Sequence, residues 1–316
     1  MQLFHYNHRK TTYISRKLLF LFVFLLLFST GCEKKHETYV SASTTIRDNT
    51  PVCLVPSADG TVVYSNDYVI IDASHTEDGY IMVAYQGQCD KVKLQLTGPD
   101  YMTYTYDLSG PEYEVFPLSA GNGTYQVGIY ENVEGNQYAT VFSQEMSITV
   151  VDTYGPFLYP NQYVKFDESC QVVATSSELV APAHDDLEAI IYIYEYVTSN
   201  ITYDYDKATN VQSGYIPDVD EILSIKTGIC LDYAAVMASM LRSQQIPTRL
   251  EVGYAGDAYH AWISTYVENQ GWINGIIQFD GQNWSLMDPT FAANAGEKEL
   301  KNFIGEGDNY VTKYIY

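Results

Sequence analysis

From Val52 to Val151 the chain runs through short alternations of apolar and polar residues, each closed by a turn signal, and no helical period interrupts them. The segments YVIIDAS, YIMVAYQ, KVKLQLTG, YMTYTYDL, YEVFPLS, TYQVGIYE and MSITVV are punctuated by EDG, GPD, SGP, GNG and EGN. A period of two side chains places one set inside and the next outside, and turns every 8 to 12 residues return each strand beside its neighbour. This rhythm predicts an all-β, Ig-like antiparallel sandwich over residues 52–153. Its 30 Tyr against 3 Trp in the whole chain suit half-buried strands and aromatic-lined clefts. Tyr-rich strands could bind carbohydrate or peptide, but Tyr is also a good strand former, so a spacer or binding module is the plainer expectation. Metal clusters and catalytic pairings are not evident in this stretch.

TYGPFLYPNQ, with Gly155, Pro156 and Pro160, marks a boundary before a region of different texture, assigned to a second domain over residues 160–316. DDLEAIIYIYEYVTSN places Leu187, Ile190, Ile191 and Tyr194 on one helical face, and its acidic opening suits the positive end of a helix dipole. The IYIYEY alternation keeps a strand as the competing assignment. LDYAAVMASMLRSQ has the Ala, Met and Leu content of a buried helix that stops before IPT, and ISTYV, INGIIQFDG and NWSLMDPT follow as strands joined by Gly-containing turns. The second half therefore reads as α+β, with helices first and an antiparallel sheet after them. The terminal piece after Phe291 is expected either to cover a cleft or to finish the sheet.

The five cysteines, Cys32, Cys53, Cys89, Cys170 and Cys230, include no CxxC spacing, so zinc and dithiol redox motifs are unsupported. Cys53 and Cys89 could staple the first domain. Cys230 differs from the rest because KTGICLDYAAVMASML puts it at the opening of a helix, with Gly228 permitting close approach. Unpaired amides and the dipole at a helix start favour a thiolate and can hold an oxyanion, which predicts a lowered thiol pKa and a nucleophile. A thiolate needs a base, and the base needs an orienting carboxylate. His260, at the head of HAWISTYV, and Asp288, at the end of NWSLMDPT, could converge with Cys230 at one end of the sheet. A buried inert Cys, a surface His and a turn-forming Asp-Pro are the plainer alternatives for each residue alone.

Residues 1–31 carry Arg9, Lys10, Arg16 and Lys17, no Asp or Glu, and the apolar run Leu18 to Phe28. Eleven apolar residues are too few to cross a hydrocarbon core, which needs about 20, so the layout is that of a signal peptide. STGC then resembles the lipobox of bacterial lipoproteins, in which the cysteine after the cleavage point is lipidated; Ser29 stands where Leu is common. The resemblance implies lipidation at Cys32, a tether over residues 32–51 and an extracytoplasmic, membrane-anchored protein. An ordinary cleaved signal with an incidental cysteine is the alternative. Removing four basic and no acidic residues takes the formal charge from −22 to −26, which argues against nucleic acid and anionic headgroups as partners.

From about Asp185 to Phe291 the sequence resembles the transglutaminase-like superfamily, the papain-related group that includes protein-crosslinking transglutaminases and peptide N-glycanases. NITYDY, TGICLDYAAVMASMLRSQQIPTRLEVGY, HAWISTYV and MDPTF carry the likeness. It implies Cys230 as nucleophile, His260 as general base and acid, and Asp288 as the group that orients His260. The substrate would be an amide in protein or peptide, attacked through a thioester acyl-enzyme and passed to water or to a lysine amine. Tyr203 and Trp262 are candidates to line the site or merely to pack. GWINGIIQFDGQ is expected to add a hairpin strand beside the cleft. No cofactor or metal is expected: animal transglutaminases use calcium, but EF-hand spacing is lacking, and the acids around Asp218, Asp220 and Glu221 read as a solvated loop. The rival expectation is a non-catalytic cell-surface binding protein working through its β-sandwich.

Overall fold

The computed structural model describes residues 47–255, 257–274, 277–279, 284–286 and 310–316. The expected signal peptide over residues 1–31, the lipidation candidate Cys32 and the orienting candidate Asp288 lie outside them. Eight strands fill the first half: β1 (Val63–Ser65), β2 (Val69–Asp72), β3 (Tyr80–Tyr85), β4 (Val92–Thr97), β5 (Thr103–Leu108), β6 (Glu114–Pro117), β7 (Gly123–Glu134) and β8 (Gln137–Ile148). They form two four-stranded antiparallel sheets, ordered β1-β2-β3-β6 and β5-β4-β7-β8. Every second residue of β4 is buried, so Val92, Leu94 and Leu96 face the core while Lys93, Gln95 and Thr97 face out. Tyr106 of β5 meets Phe116 of β6 edge-to-face at 4.9 Å, closing the two sheets on a shared core. Strands β7 and β8 extend to twelve residues each and form a hairpin longer than the segments TYQVGIYE and MSITVV suggested.

The second half opens with helix α1 (Gln171–Val180) and helix α2 (Asp186–Asn200), followed by β9 (Thr202–Tyr203), α3 (Tyr205–Asn210), α4 (Val219–Ile225), β10 (Thr227–Gly228) and α5 (Cys230–Ser243). DDLEAIIYIYEYVTSN is helical, not extended: Asp185 caps it by accepting the Glu188 amide at 2.9 Å, and fifteen residues follow without a breaker. Its buried stripe is Ala189, Ile190, Ile193, Tyr194 and Val197, which includes the expected Ile190 and Tyr194, while Leu187 and Ile191 are half-buried. The acids read as a solvated loop instead build helix ends. Asp218 caps α4 by accepting the Glu221 amide at 3.0 Å, and Asp220 reaches across to accept the Gln171 and Val172 amides of α1 at 2.8 and 2.9 Å.

Four strands finish the fold in one antiparallel sheet ordered β13-β12-β11-β16, made by β11 (Thr248–Ala255), β12 (Ala258–Val267), β13 (Gly271–Asn274) and β16 (Tyr310–Ile315). A separate hairpin pairs β14 (Ile277–Phe279) with β15 (Trp284–Leu286), in keeping with the extra hairpin expected from GWINGIIQFDGQ. The terminal strand does finish the sheet, and its aromatic residues bind it to the first half. Tyr104 of β5 lies edge-on to Tyr314 at 5.4 Å and to Tyr316 at 5.6 Å, and Ser119 Oγ donates to the Ile315 carbonyl at 2.7 Å. Arg242 of α5 is fully buried and donates to the carbonyls of Tyr159, Thr248 and Tyr316 at 2.7 to 2.9 Å. Burial pulls its guanidinium down to about 9, yet three carbonyl dipoles replace the lost water. Among the described residues no helix is long and apolar enough to cross a membrane.

Candidate active site

Helix α5 starts on Cys230 because the chain arrives extended and is held there. Strands β9 and β10 pair in parallel, with Gly228 opposite Tyr203, and the Asp204 amide donates to the Gly228 carbonyl at 2.9 Å. Gly228 is needed there: a Cβ at that position would lie 2.7 Å from the Asp232 Cβ. Asp232, in the first turn, accepts the Ile229 amide at 2.8 Å and so secures the helix start from within. Cys230 is thereby left at the open end of α5, half-buried, with the buried stripe of Tyr233, Ala234 and Met237 behind it.

His260 reaches the same place from the sheet. It sits on β12 opposite Gly253 of β11, and the next pair in register is Ala261 with Val252. The ring is buried, at 8% exposure, and stacks near the indole of Trp262, with centroids 6.3 Å apart. Its Nε2 is buried and has no hydrogen-bond partner among the described residues. Burial pulls the imidazole down to about 4, so it is neutral near pH 7 and able to accept a proton.

Cys230 and His260 line one cavity of about 580 Å³. The sheet contributes Tyr259, Tyr314 and Tyr316, β9 contributes Tyr203, and the first half contributes Lys93, Thr105 and Asp107 from β4 and β5. The Ala261 N–H of β12, the Leu231 N–H at the helix start and the Tyr203 hydroxyl all favour the thiolate. The net result is the reverse of the expected one, because burial outweighs them and pushes the thiol above its ordinary value, with the Asp232 charge adding to the rise. The resting cavity therefore holds a neutral thiol and a neutral imidazole.

Comparison with known proteins gives the same segment a family. Residues 173–275 match the family model described as the transglutaminase-like superfamily, a span that holds both Cys230 and His260. This segment is a transglutaminase-like domain. An uncharacterized protein of Mycobacterium leprae (strain TN) is 24% identical over 205 residues, which is 65% of this chain and 67% of that protein. Two further relatives are matched over little more than a quarter of their own length, 28% and 26%. A proposed cysteine protease from Cytophaga hutchinsonii aligns over 81% of this chain and 74% of its own, with 13% identity and a TM-score of 0.37. The periplasmic domain of TgpA from Pseudomonas aeruginosa, bound to ethylmercury, aligns over 69% and 75%, with 15% identity and a TM-score of 0.32.

Within the transglutaminase-like domain, two of the three candidate triad residues line the same cavity, and the third, Asp288, lies outside the described residues. Tyr203 does line the cavity and bonds to Cys230, whereas Trp262 is buried against Tyr310, ring centroids 5.3 Å apart, and serves packing. The other described cysteines are all unpaired. Burial, followed by the Glu168 and Asp167 charges, pushes the Cys53 thiol up to about 11, and the cysteine it feels, last and least, is Cys170 and not Cys89. Cys89 Sγ is held instead by the Lys91 carbonyl at 3.3 Å, so a Cys53–Cys89 staple is absent here. Among the described residues no group of three or more His, Cys, Asp or Glu side chains is arranged to hold a metal ion. Sequence reasoning missed Lys207 and Tyr215, which reach the helix start through Asp232. The Asp three residues past Ile229 was the legible signal for this network, as an acidic residue at the third helical position often closes a cap.

Proposed function

We propose that the protein is an extracytoplasmic cysteine enzyme acting on amides of proteins or peptides through a thioester acyl-enzyme. The observation that carries this reading is the meeting in one cavity of Cys230, at the first position of α5, with His260, whose Nε2 is unpartnered among the described residues. The Cys230 proton passes to His260 as Sγ attacks the substrate carbonyl carbon, and the resulting oxyanion faces the amides of the helix start. Collapse of the tetrahedral intermediate breaks the C–N bond. His260 returns the proton to the leaving amine, and the acyl group stays on sulfur as a thioester. An acceptor, activated by His260, then attacks the thioester and regenerates the thiol.

In this reading Asp288 orients His260, and its charge raises the imidazole from the low value that burial alone imposes. The all-β region is an Ig-like spacer that also walls the cleft, and Cys32 carries a lipid that holds the folded part off the membrane, with the tether ending before Arg47, which bonds to Asp186 at 2.8 Å. Water as acceptor makes the protein a protease or amidase, and a lysine amine makes it a crosslinking transglutaminase. We favour water, because a cavity of about 580 Å³ around the thiol has room for many waters at about 30 Å³ each. The test offers a protein substrate together with a fluorescent primary amine and follows label incorporation and release of ammonia or peptide. Release without incorporation, absent in Cys230→Ala, is the expected result. Label in the protein identifies transfer instead, and release equal in wild type and Cys230→Ala overturns the enzyme reading.

A further inference from the structure

Asp232 lies two residues past the candidate nucleophile and is fully buried, and its carboxylate has three partners. Oδ2 accepts the Ile229 amide at 2.8 Å and the Lys207 ammonium at 2.6 Å, and Oδ1 accepts the Tyr215 hydroxyl at 2.6 Å. Lys207 Nζ also donates to the Tyr215 hydroxyl at 2.7 Å and stands 4.3 Å from the centre of that ring. Tyr215 belongs to a strap, residues 211–216, that lines the cavity. The strap's Gly214, at φ +85°, is pressed so close to β5 that a Cβ would lie 2.9 Å from Asp107 Oδ2. The network thus joins the start of the nucleophile helix to a strap wedged against the other half of the molecule.

Capping a helix start needs only an oxygen acceptor, which Ser, Thr or Asn would supply without charge. A buried carboxylate in that place opposes ionisation of the thiol beside it unless a cation stands against it. The groups that face the thiol are Asp232 on its own helix, Tyr203 from β9, and Tyr259 and His260 from β12. Lys207 is the cation that meets the carboxylate, at the end of a side chain only 26% exposed.

Building on the reading of Cys230 as nucleophile, we infer that Lys207 is a positioning residue that sets the reactivity of the thiol by cancelling the charge of Asp232, and that Tyr215 ties this ion pair to the strap over the cleft. The role is electrostatic as well as structural, so it has a signature that loss of packing does not. Lys207→Met leaves an uncompensated carboxylate and disfavours the thiolate. Asp232→Asn keeps an oxygen for the Ile229 amide, removes the charge and favours the thiolate. The double variant is neutral again.

The measurement is the pH dependence of Cys230 alkylation by iodoacetamide in the folded full chain, read by peptide mass spectrometry. Lys207→Met is expected to move the profile to higher pH, and labelling near pH 7.5 slows about tenfold for every whole pH step by which the profile moves. Asp232→Asn moves it to lower pH, and the double variant returns to within about twofold of wild type. A reactive wild type whose profile is unmoved in either single variant overturns the inference alone. A wild-type Cys230 that reacts no faster than Cys89 overturns the nucleophile reading and this inference with it. Should Lys207→Met fail to fold, Asp232→Asn and the double variant decide: equal profiles in wild type and Asp232→Asn contradict the inference.

Discussion

The two halves of the molecule are stabilised in different ways. In the β half most strands pair with a neighbour in sequence, β1 with β2, β2 with β3, β4 with β5 and β7 with β8, while β3–β6 and β4–β7 close the two sheets, and alternation chooses the buried face of β4. In the α+β half the decisive partners come from far along the chain. Asp220 caps a helix that begins 49 residues earlier, Lys207 meets Asp232 across 25 residues, and Arg242 binds the Tyr159 carbonyl across 83. A chemical site needs groups from several elements in one place, so the half with long-range polar ties is also the half that can carry one.

That contrast is broken most severely at Arg242. Replacing it by Leu leaves three carbonyls without their donor and is expected to cost at least about 3 kcal/mol in urea denaturation. A loss under about 1 kcal/mol would mean that these carbonyls find other partners and that the long-range tie matters little.

The next effect is on pH. His260 is held at about 4 by burial, below the usual 6.5 of an unfolded histidine, so the unfolded chain binds a proton that the folded one refuses. The associated stability is complete above about pH 6.5 and is lost as pH falls towards 4, up to about 3 kcal/mol. Denaturation midpoints measured across that range should fall in wild type and stay flatter in His260→Gln. If Asp288 pairs with His260 as proposed, the wild-type window is narrower, and Asp288→Asn widens it. The same slope in wild type and His260→Gln would contradict the burial effect.

Asp220→Ala removes the acceptor for two α1 amides and is expected to cost about 1 kcal/mol, a typical loss for a helix cap. In the β half, Gln126→Ala removes an exposed cross-strand bond to Ser143 and should change stability by less than about 0.5 kcal/mol. Equal costs at the two sites, measured by the same denaturation, would remove the contrast between a tertiary cap and a local ladder.

The legibility of the sequence follows the same division. Alternation and turn residues revealed the strands of the first half because period two is a local signal, although β1, with only three residues, was too short to register. Helix α5 was readable from its Ala, Met and Leu content, and Cys230 and His260 from the motifs around them. Helix α1 was not: its N-cap is Cys170, which makes no side-chain capping bond, and the cap comes from Asp220 in another helix. The sign of the Cys230 shift was misread for a related reason. A helix start announces its amides in the sequence, while the depth at which the fold buries the thiol is a tertiary quantity.

The central claim, that Cys230 is a nucleophile served by His260, is tested most directly by competitive alkylation of the four described cysteines near neutral pH. The account predicts that Cys230 labels ahead of Cys53, Cys89 and Cys170, and that His260→Ala abolishes this lead while leaving the other three unchanged. Labelling of Cys230 at the same rate with and without His260 would contradict it.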